Sequence, residues 1–311
     1  MKKVSRRTFF ANSLAAAAAL SLPVAAKAKT DGHLSLEIAD DQDSPTIVDT
    51  NVNLFEWPFR KLKYGKTKAL VEKLRKHRIS QAWAGSFEAL FYKDIHGVNT
   101  RLAEECRANG EGMLIPFGTV NLAWPDWKED LRRCHEVHKM QGIRIYPIYQ
   151  TFNLEHPDFT ELVKQVTARG MVLQIAGDME DERHHHPIVE VRDLKLTPLI
   201  EMLKQVPDAK IQLVYWNHRV PRNLLDTLIK ETNVLFDTAR IEGVGEVGRL
   251  IEGKTWGGTT TPLPAERILF GSHGPYFPVE ANVIKLFESP LTLEQMQAIM
   301  NGNARKFLKL T

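Results

Sequence analysis

From Thr46 onward the chain alternates short apolar, β-rich runs with amphipathic helical runs, eight times over, and this alternation constrains its fold more than any other feature. Parallel strands need a crossover after each strand, so a strand–helix alternation of this kind reads as successive βα units around a parallel sheet. Strands are predicted over 46–54, 79–87, 113–122, 142–147, 171–176, 211–216, 234–239 and 267–271. The helices between and after them are predicted over 66–78, 98–108, 127–140, 157–169, 196–206, 224–231, 247–252 and 280–287, with a terminal helix over 293–308. Eight units within 46–311 fit a (β/α)₈ barrel with an additional C-terminal helix, a fold that takes about 250 residues. The rival, a doubly wound open sheet, calls for a glycine-rich turn after the first strand. The segment Phe55-Glu-Trp-Pro-Phe-Arg60 offers none.

Chemistry in a barrel sits where strands end. In the first strand Asp49, Asn51 and Asn53 fall on one face at period two. A buried strand with three polar residues on one side is expected to line a site with them.

The segment ahead of the barrel reads as targeting sequence rather than structure. Lys2, Lys3 and Ser5-Arg-Arg-Thr-Phe-Phe10 precede the weakly apolar run Ser13–Pro23, and Ala26-Lys-Ala28 offers an A-x-A cleavage site. The pattern resembles a twin-arginine export signal, with an ordinary secretory signal as the alternative. Residues 1–28 are therefore expected to be removed, 29–45 to be a polar, flexible lead-in, and the mature protein to be periplasmic. Removal takes Lys2, Lys3, Arg6, Arg7 and Lys27 and no acids, so 41 basic residues become 36 against 38 acidic, and the net charge passes from +3 to −2. A balance of that kind argues against nucleic acid or an anionic membrane as partner and leaves a small-molecule substrate, with a homo-oligomer possible. Cys106 and Cys134, on consecutive predicted helices, are expected to be two unpaired, half-buried thiols.

Four motifs share one resemblance. Ile47-Val-Asp-Thr-Asn-Val-Asn53, Gly142-Ile-Arg-Ile-Tyr-Pro147, Pro264-Ala-Glu-Arg-Ile-Leu-Phe-Gly-Ser-His273 and Asn301-Gly-Asn-Ala-Arg-Lys-Phe-Leu308 together resemble the amidohydrolase-related branch of the amidohydrolase superfamily. That branch comprises metal-dependent hydrolases, lactonases and decarboxylases acting on small acids, lactones and sugar derivatives. The resemblance implies Asp-x-His-x-His on the first strand, and Asn51 and Asn53 stand at both histidine positions. Gln174 stands on the fifth strand, where a histidine ligand is expected nearby, and His273 replaces the aspartate that is both ligand and base at the end of the eighth. Amide oxygen ligates hard cations but suits zinc poorly. The replaced positions thus imply that the zinc centre is missing and that no cofactor is needed. The alternative left open is a divalent metal held by Asp49, Asn51, Asn53 and a histidine elsewhere.

Such a barrel could still hydrolyse an ester, lactone or amide bond of a small anionic or carbohydrate-derived molecule. His273 is expected to be the base, Arg144 and Arg60 to hold a carboxylate or an oxyanion, and Asp49 and Asp237 to orient His273 or bind water. Substrate contacts are expected from Asn51, Asn53, Trp57, Arg60, Tyr146, Gln174, Asn217, His218 and, in the long loop after the fifth strand, Glu182 and Arg183. His184, His185 and His186 in that loop read as solvated. A lyase or decarboxylase would use the same groups, and a binding protein without turnover would keep the pocket.

Overall fold

The structure, a computed structural model, describes residues 46–309 apart from 190, 192, 217–219 and 256–257. The expected export signal, the lead-in and the candidates Asn217 and His218 lie outside the described residues.

The strands are β1 (Ile47–Leu54), β2 (Ile79–Ser86), β3 (Leu114–Gly118), β4 (Gly142–Ile145), β5 (Val172–Ala176), β6 (Ile211–Val214), β7 (Leu235–Asp237) and β8 (Ile268–Leu269). All seven successive pairings are parallel and follow chain order. The seam between β8 and β1 closes through main-chain bonds. Thr50 N donates to Phe270 O at 2.8 Å, His273 N to Asn51 O at 2.9 Å and Asn53 N to Gly274 O at 2.8 Å. The result is the (β/α)₈ barrel that the alternation predicts.

The helices are α1 (Thr67–Lys76), α2 (Ile95–Asn109), α3 (Trp127–Glu136), α4 (Phe159–Ala168), α5 (Thr197–Gln205), α6 (Arg222–Glu231), α7 (Glu246–Ile251) and α8 (Val279–Phe287). A final segment runs through α9 (Leu293–Gln297), a π turn over Ala298–Gly302 and α10 (Asn303–Leu308). The helices α1 to α8 lay apolar side chains on the barrel, as Leu70, Val71 and Leu74 of α1 do, and the main core fills the space between helices and strands. A second, smaller cluster of Val48, Trp83, Phe117, Val172 and Leu269 joins residues from five strands. Among the described residues no helix is long and apolar enough to cross a membrane.

Three boundaries differ from the sequence reading by three residues or more. The third strand ends at Gly118 rather than 122 because the Asn99 side chain binds Thr119 through both its N–H and its carbonyl, at 2.8 Å each, and draws the chain out of the ladder. Helix α2 starts at Ile95, three residues early, where the Asp94 side chain caps Gly97 N at 2.9 Å. Helix α3 stops at Glu136 rather than 140, since Lys139 takes a left-handed φ of 54° and Met140 N bonds back to Cys134 O. Cys106 and Cys134 are unpaired, and both are buried rather than half-buried.

Candidate active site at the strand ends

The barrel's parallel register decides which side chains meet. Arg144 pairs with Gln174 and Gln174 with Gln212 across β4, β5 and β6, so three long polar side chains start from one level of the barrel. Arg144 is wholly buried, and its guanidinium is wrapped by neutral oxygens. Nε donates to Gln174 Oε1 at 2.7 Å; Nη1 donates to Val52 O at 3.0 Å and Asn53 Oδ1 at 3.2 Å; Nη2 donates to Trp83 O at 3.2 Å. Gln174 Nε2 in turn donates to Thr50 O and to Gln212 Oε1, and Gln212 Nε2 to Thr50 Oγ1. Among the described residues no carboxylate lies within ion-pair distance of Arg144. The centre of the barrel therefore holds a fixed positive charge, ligated by amides and carbonyls from three other strands, β1, β2 and β5.

Beside this layer, side chains of β1, β7 and the segment after β8 form a second set of contacts. Asn51 Nδ2 donates to Asp237 Oδ2 at 2.6 Å. Asp49 Oδ1 accepts from Asn51 N at 3.0 Å and Ser272 N at 2.9 Å. Burial pushes Asp49 up to about 6 and Asp237 up to about 7, against the lowering pull of these hydrogen bonds and of Arg144.

His273 follows β8 with a left-handed φ of 56°, and Phe55 after β1 and Tyr215 after β6 share that conformation. The imidazole Nε2–H of His273 donates to Met179 O at 2.8 Å, and since a carbonyl only accepts, the lone pair is left on Nδ1. Burial drives its pKa well below the ordinary histidine value, and the charges of Arg240, Arg144 and Arg60 push it the same way. His273 is neutral at neutral pH. Its ring lies parallel to Tyr276 at 4.7 Å and 9°, with Tyr215 at 4.4 Å.

The mouth is covered. Trp57 packs edge-on against Phe87 and Tyr276, Arg60 rests over the Tyr276 ring at 4.2 Å, and His186 of the loop after β5 stacks on Phe59 at 4.5 Å. A cavity of about 830 Å³ adjoins this region, lined among others by Asp178, His185, Leu194, Tyr215 and Trp216.

Of the sequence candidates, Asp49, Asn51, Asn53, Arg144, Tyr146, Gln174, Asp237 and His273 come together inside the barrel end, wholly buried, and Trp57 covers them. Arg60 sits at the exposed rim. Glu182, exposed, lines the adjoining cavity, and Arg183 lies on the solvent side, on Asp181 at 2.8 Å. Four members were not foreseen. Tyr215 and Arg240 follow β6 and β7, Tyr276 follows β8, and Glu180 belongs to the loop after β5. Arg240, buried, donates to Asp178 O at 2.9 Å. Their positions just beyond strand ends were the available signal.

The fold and site define a (β/α)₈ barrel with a buried polar site at its C-terminal mouth. No family model and no curated protein matches the sequence. Solved structures share the fold. A 2,6-dihydroxybenzoate decarboxylase from Rhizobium superposes with a TM-score of 0.61 at 16% identity, over 84% of this chain and 99% of that one. A 5-carboxyvanillate decarboxylase from Sphingomonas paucimobilis gives 0.64 at 13%, over 86% and 100%. A dihydroxybenzoic acid decarboxylase from a Polaromonas species, with bound manganese and the inhibitor 2-nitroresorcinol, gives 0.63 at 13%, over 86% and 98%.

The manganese in that last structure overturns the expectation of a barrel without a cofactor, and points to a divalent metal. Among the described residues no three His, Cys, Asp or Glu side chains gather as a ligand cluster. The wholly buried atoms left without a partner on β1 and just after β8 are nevertheless Asp49 Oδ2, Asn51 Oδ1 and His273 Nδ1. One carboxylate oxygen, one amide oxygen and one imidazole nitrogen fit a hard divalent ion in donor type and do not fit a zinc centre of the usual kind. Asn53, offered as a ligand by the sequence, has its oxygen engaged by Arg144 and Tyr146.

Proposed function

We propose that this chain is a lyase that removes the carboxyl group of a small aromatic acid as carbon dioxide. The observation behind this reading is a neutral, buried His273 that feels three arginine charges inside a mouth walled by Trp57, Tyr276 and Phe277. Arginine charge favours an anionic substrate. Shielding from solvent disfavours a reaction that consumes a water at every turnover and weakens the hydration of a carboxylate, which helps it leave as uncharged carbon dioxide. Similarity of fold to the hydroxybenzoate and carboxyvanillate decarboxylases supports the same choice over hydrolysis.

In this reading the carbon–carbon bond to the carboxyl group breaks, its electron pair stays on the ring carbon, and a proton takes the vacated position. Arg60 and Arg240 hold the substrate at the mouth by charge, and the aromatic wall orients its ring. His273 offers its one free lone pair, on Nδ1, to the site, its other nitrogen being held by Met179. Asp237 is the carboxyl on this face that holds a proton near neutral pH and hands it on. A divalent ion, held by Asp49, Asn51 and His273, would draw electron density from a substrate oxygen.

The test is a panel of hydroxylated benzoates incubated with the manganese-loaded protein in D₂O. Carbon dioxide release with one deuterium at the vacated ring position is expected. Turnover confined to a parallel panel of esters and lactones would replace this reading with the hydrolase.

A further inference from the structure

The loop after β5 meets His273 in two ways. Met179 supplies the carbonyl that fixes the proton on Nε2, and the next residue, Glu180, reaches Tyr276, whose ring lies flat on the imidazole. We propose that Glu180 is a positioning residue for His273, acting through Tyr276; the value of that position for catalysis rests on the reading above, in which the site uses the Nδ1 lone pair of His273.

The geometry runs as a chain of fixed contacts. The segment 178–180 is pinned from outside the site. Arg240 Nη1 donates to Asp178 O at 2.9 Å, Met179 N donates to Tyr149 OH at 3.0 Å, and His185 Nε2 lies 3.2 Å from Glu180 O. The Glu180 carboxylate is buried, and its Oε2 accepts from the Tyr276 hydroxyl. Tyr276 is thus held at both ends of its side chain. Its hydroxyl is on Glu180 and its ring lies between His273 and the Arg60 guanidinium, 4.2 Å from the ring centre.

An imidazole can present either nitrogen, by tautomer exchange or by a turn about its Cβ–Cγ bond. The Met179 carbonyl selects Nε2–H, but one hydrogen bond leaves the ring free to swing. A parallel ring 4.7 Å away blocks the swing as long as that ring itself stays in place. The hydroxyl anchor on Glu180 keeps it there. Among the described residues, Tyr276 is the one side chain that the Glu180 carboxylate bonds; its other oxygen has no partner.

The test reads His273 directly, by ¹H–¹⁵N correlation of histidine-labelled full-length protein. The wild type is expected to show a neutral ring protonated at Nε2, with slow exchange of that proton. Glu180→Ala and Tyr276→Phe should each speed the exchange at least tenfold. The double variant should stay within twofold of either, because both break one link. Glu180→Gln, which keeps an acceptor for the hydroxyl, should stay within twofold of wild type. Tyr276→Phe removes one oxygen and keeps the ring, and unchanged amide protection in β4 and β5 certifies the fold. Unchanged exchange in Glu180→Ala, or Glu180→Gln behaving as alanine does, overturns the proposal. With a turned-over substrate in hand, Glu180→Ala should lower kcat about tenfold and KM less than twofold. If the exchange pattern holds and no carbon dioxide is released, the reaction proposed above falls while the role of Glu180 stands.

Discussion

Arg144 and Gln174 are register partners on β4 and β5, and the arginine Nε donates to the glutamine Oε1 at 2.7 Å. The glutamine is turned by that bond so that its NH₂ group points on to Thr50 and Gln212. One guanidinium therefore sets the hydrogen-bond direction of a ring that reaches from β1 to β6.

Replacing Arg144 by Lys should destabilise the protein by about 2 kcal/mol, and by Ala about 3–5 kcal/mol. An ammonium has three donors on one atom and cannot reach Gln174, Asn53 and Trp83 at once. Urea unfolding with an unchanged m value would show it. Wild-type stability in Arg144→Lys would mean that the guanidinium is not committed to the scaffold.

Gly85 on β2 makes room for this charge. A Cβ there would lie 2.7 Å from Tyr146 OH and 2.8 Å from Arg144 Nη1. Gly85→Ala should cost about 1–3 kcal/mol by forcing both groups aside. It should also release the Tyr146 hydroxyl from Asn53, which lies 3.4 Å away. The same unfolding measurement checks the first effect, and a red-edge shift in the tyrosine near-ultraviolet spectrum the second.

Much of this was legible from residues taken singly. Period two in β1 placed Asp49, Asn51 and Asn53 on one side, and strand ends located Arg144, Gln174, Asp237 and His273. What periodicity cannot encode is which oxygens are already engaged. The sequence offers Asn51 and Asn53 as equals, yet Asn53 is tied to Arg144 and Tyr146 while Asn51 keeps a free oxygen. Loop geometry was equally hidden. In the segment 178–183 the more charged residues, Glu182 and Arg183, face solvent, whereas Met179 and Glu180 fold inward. That choice depends on Arg240 and Tyr276, which are 60 and 96 residues further along the chain than Glu180.

Asp130, in the first turn of α3, gives a pH signature away from the site. Burial, and after it the charges of Asp126, Asp94 and Glu129, push its carboxyl up to about 6. The folded state then binds a proton more tightly than the unfolded one, so this group's contribution is fully present below about pH 4 and is lost as pH rises through 6. Asp130→Asn should stabilise the protein at pH 7 by about 1 kcal/mol, allowing for solvent screening, and leave it unchanged at pH 4. Thermal unfolding at the two pH values is the check; an equal gain at both would refute the titration.

Manganese should bind the chelator-treated protein and raise its thermal midpoint, independently of any turnover. A metal that binds only the folded state at one hundred times its Kd adds about 2.7 kcal/mol, which for a domain of this size is a shift of about 5–10 °C. Asp49→Asn and His273→Ala should each reduce the shift at least severalfold, since each removes one of the buried atoms that have no protein partner. Asn53→Ala should lower the starting midpoint, because it strips Arg144 and Tyr215 of a partner, yet retain the manganese shift. A full shift surviving in His273→Ala would move the ion away from the β1–β8 seam, toward the histidines of the loop after β5.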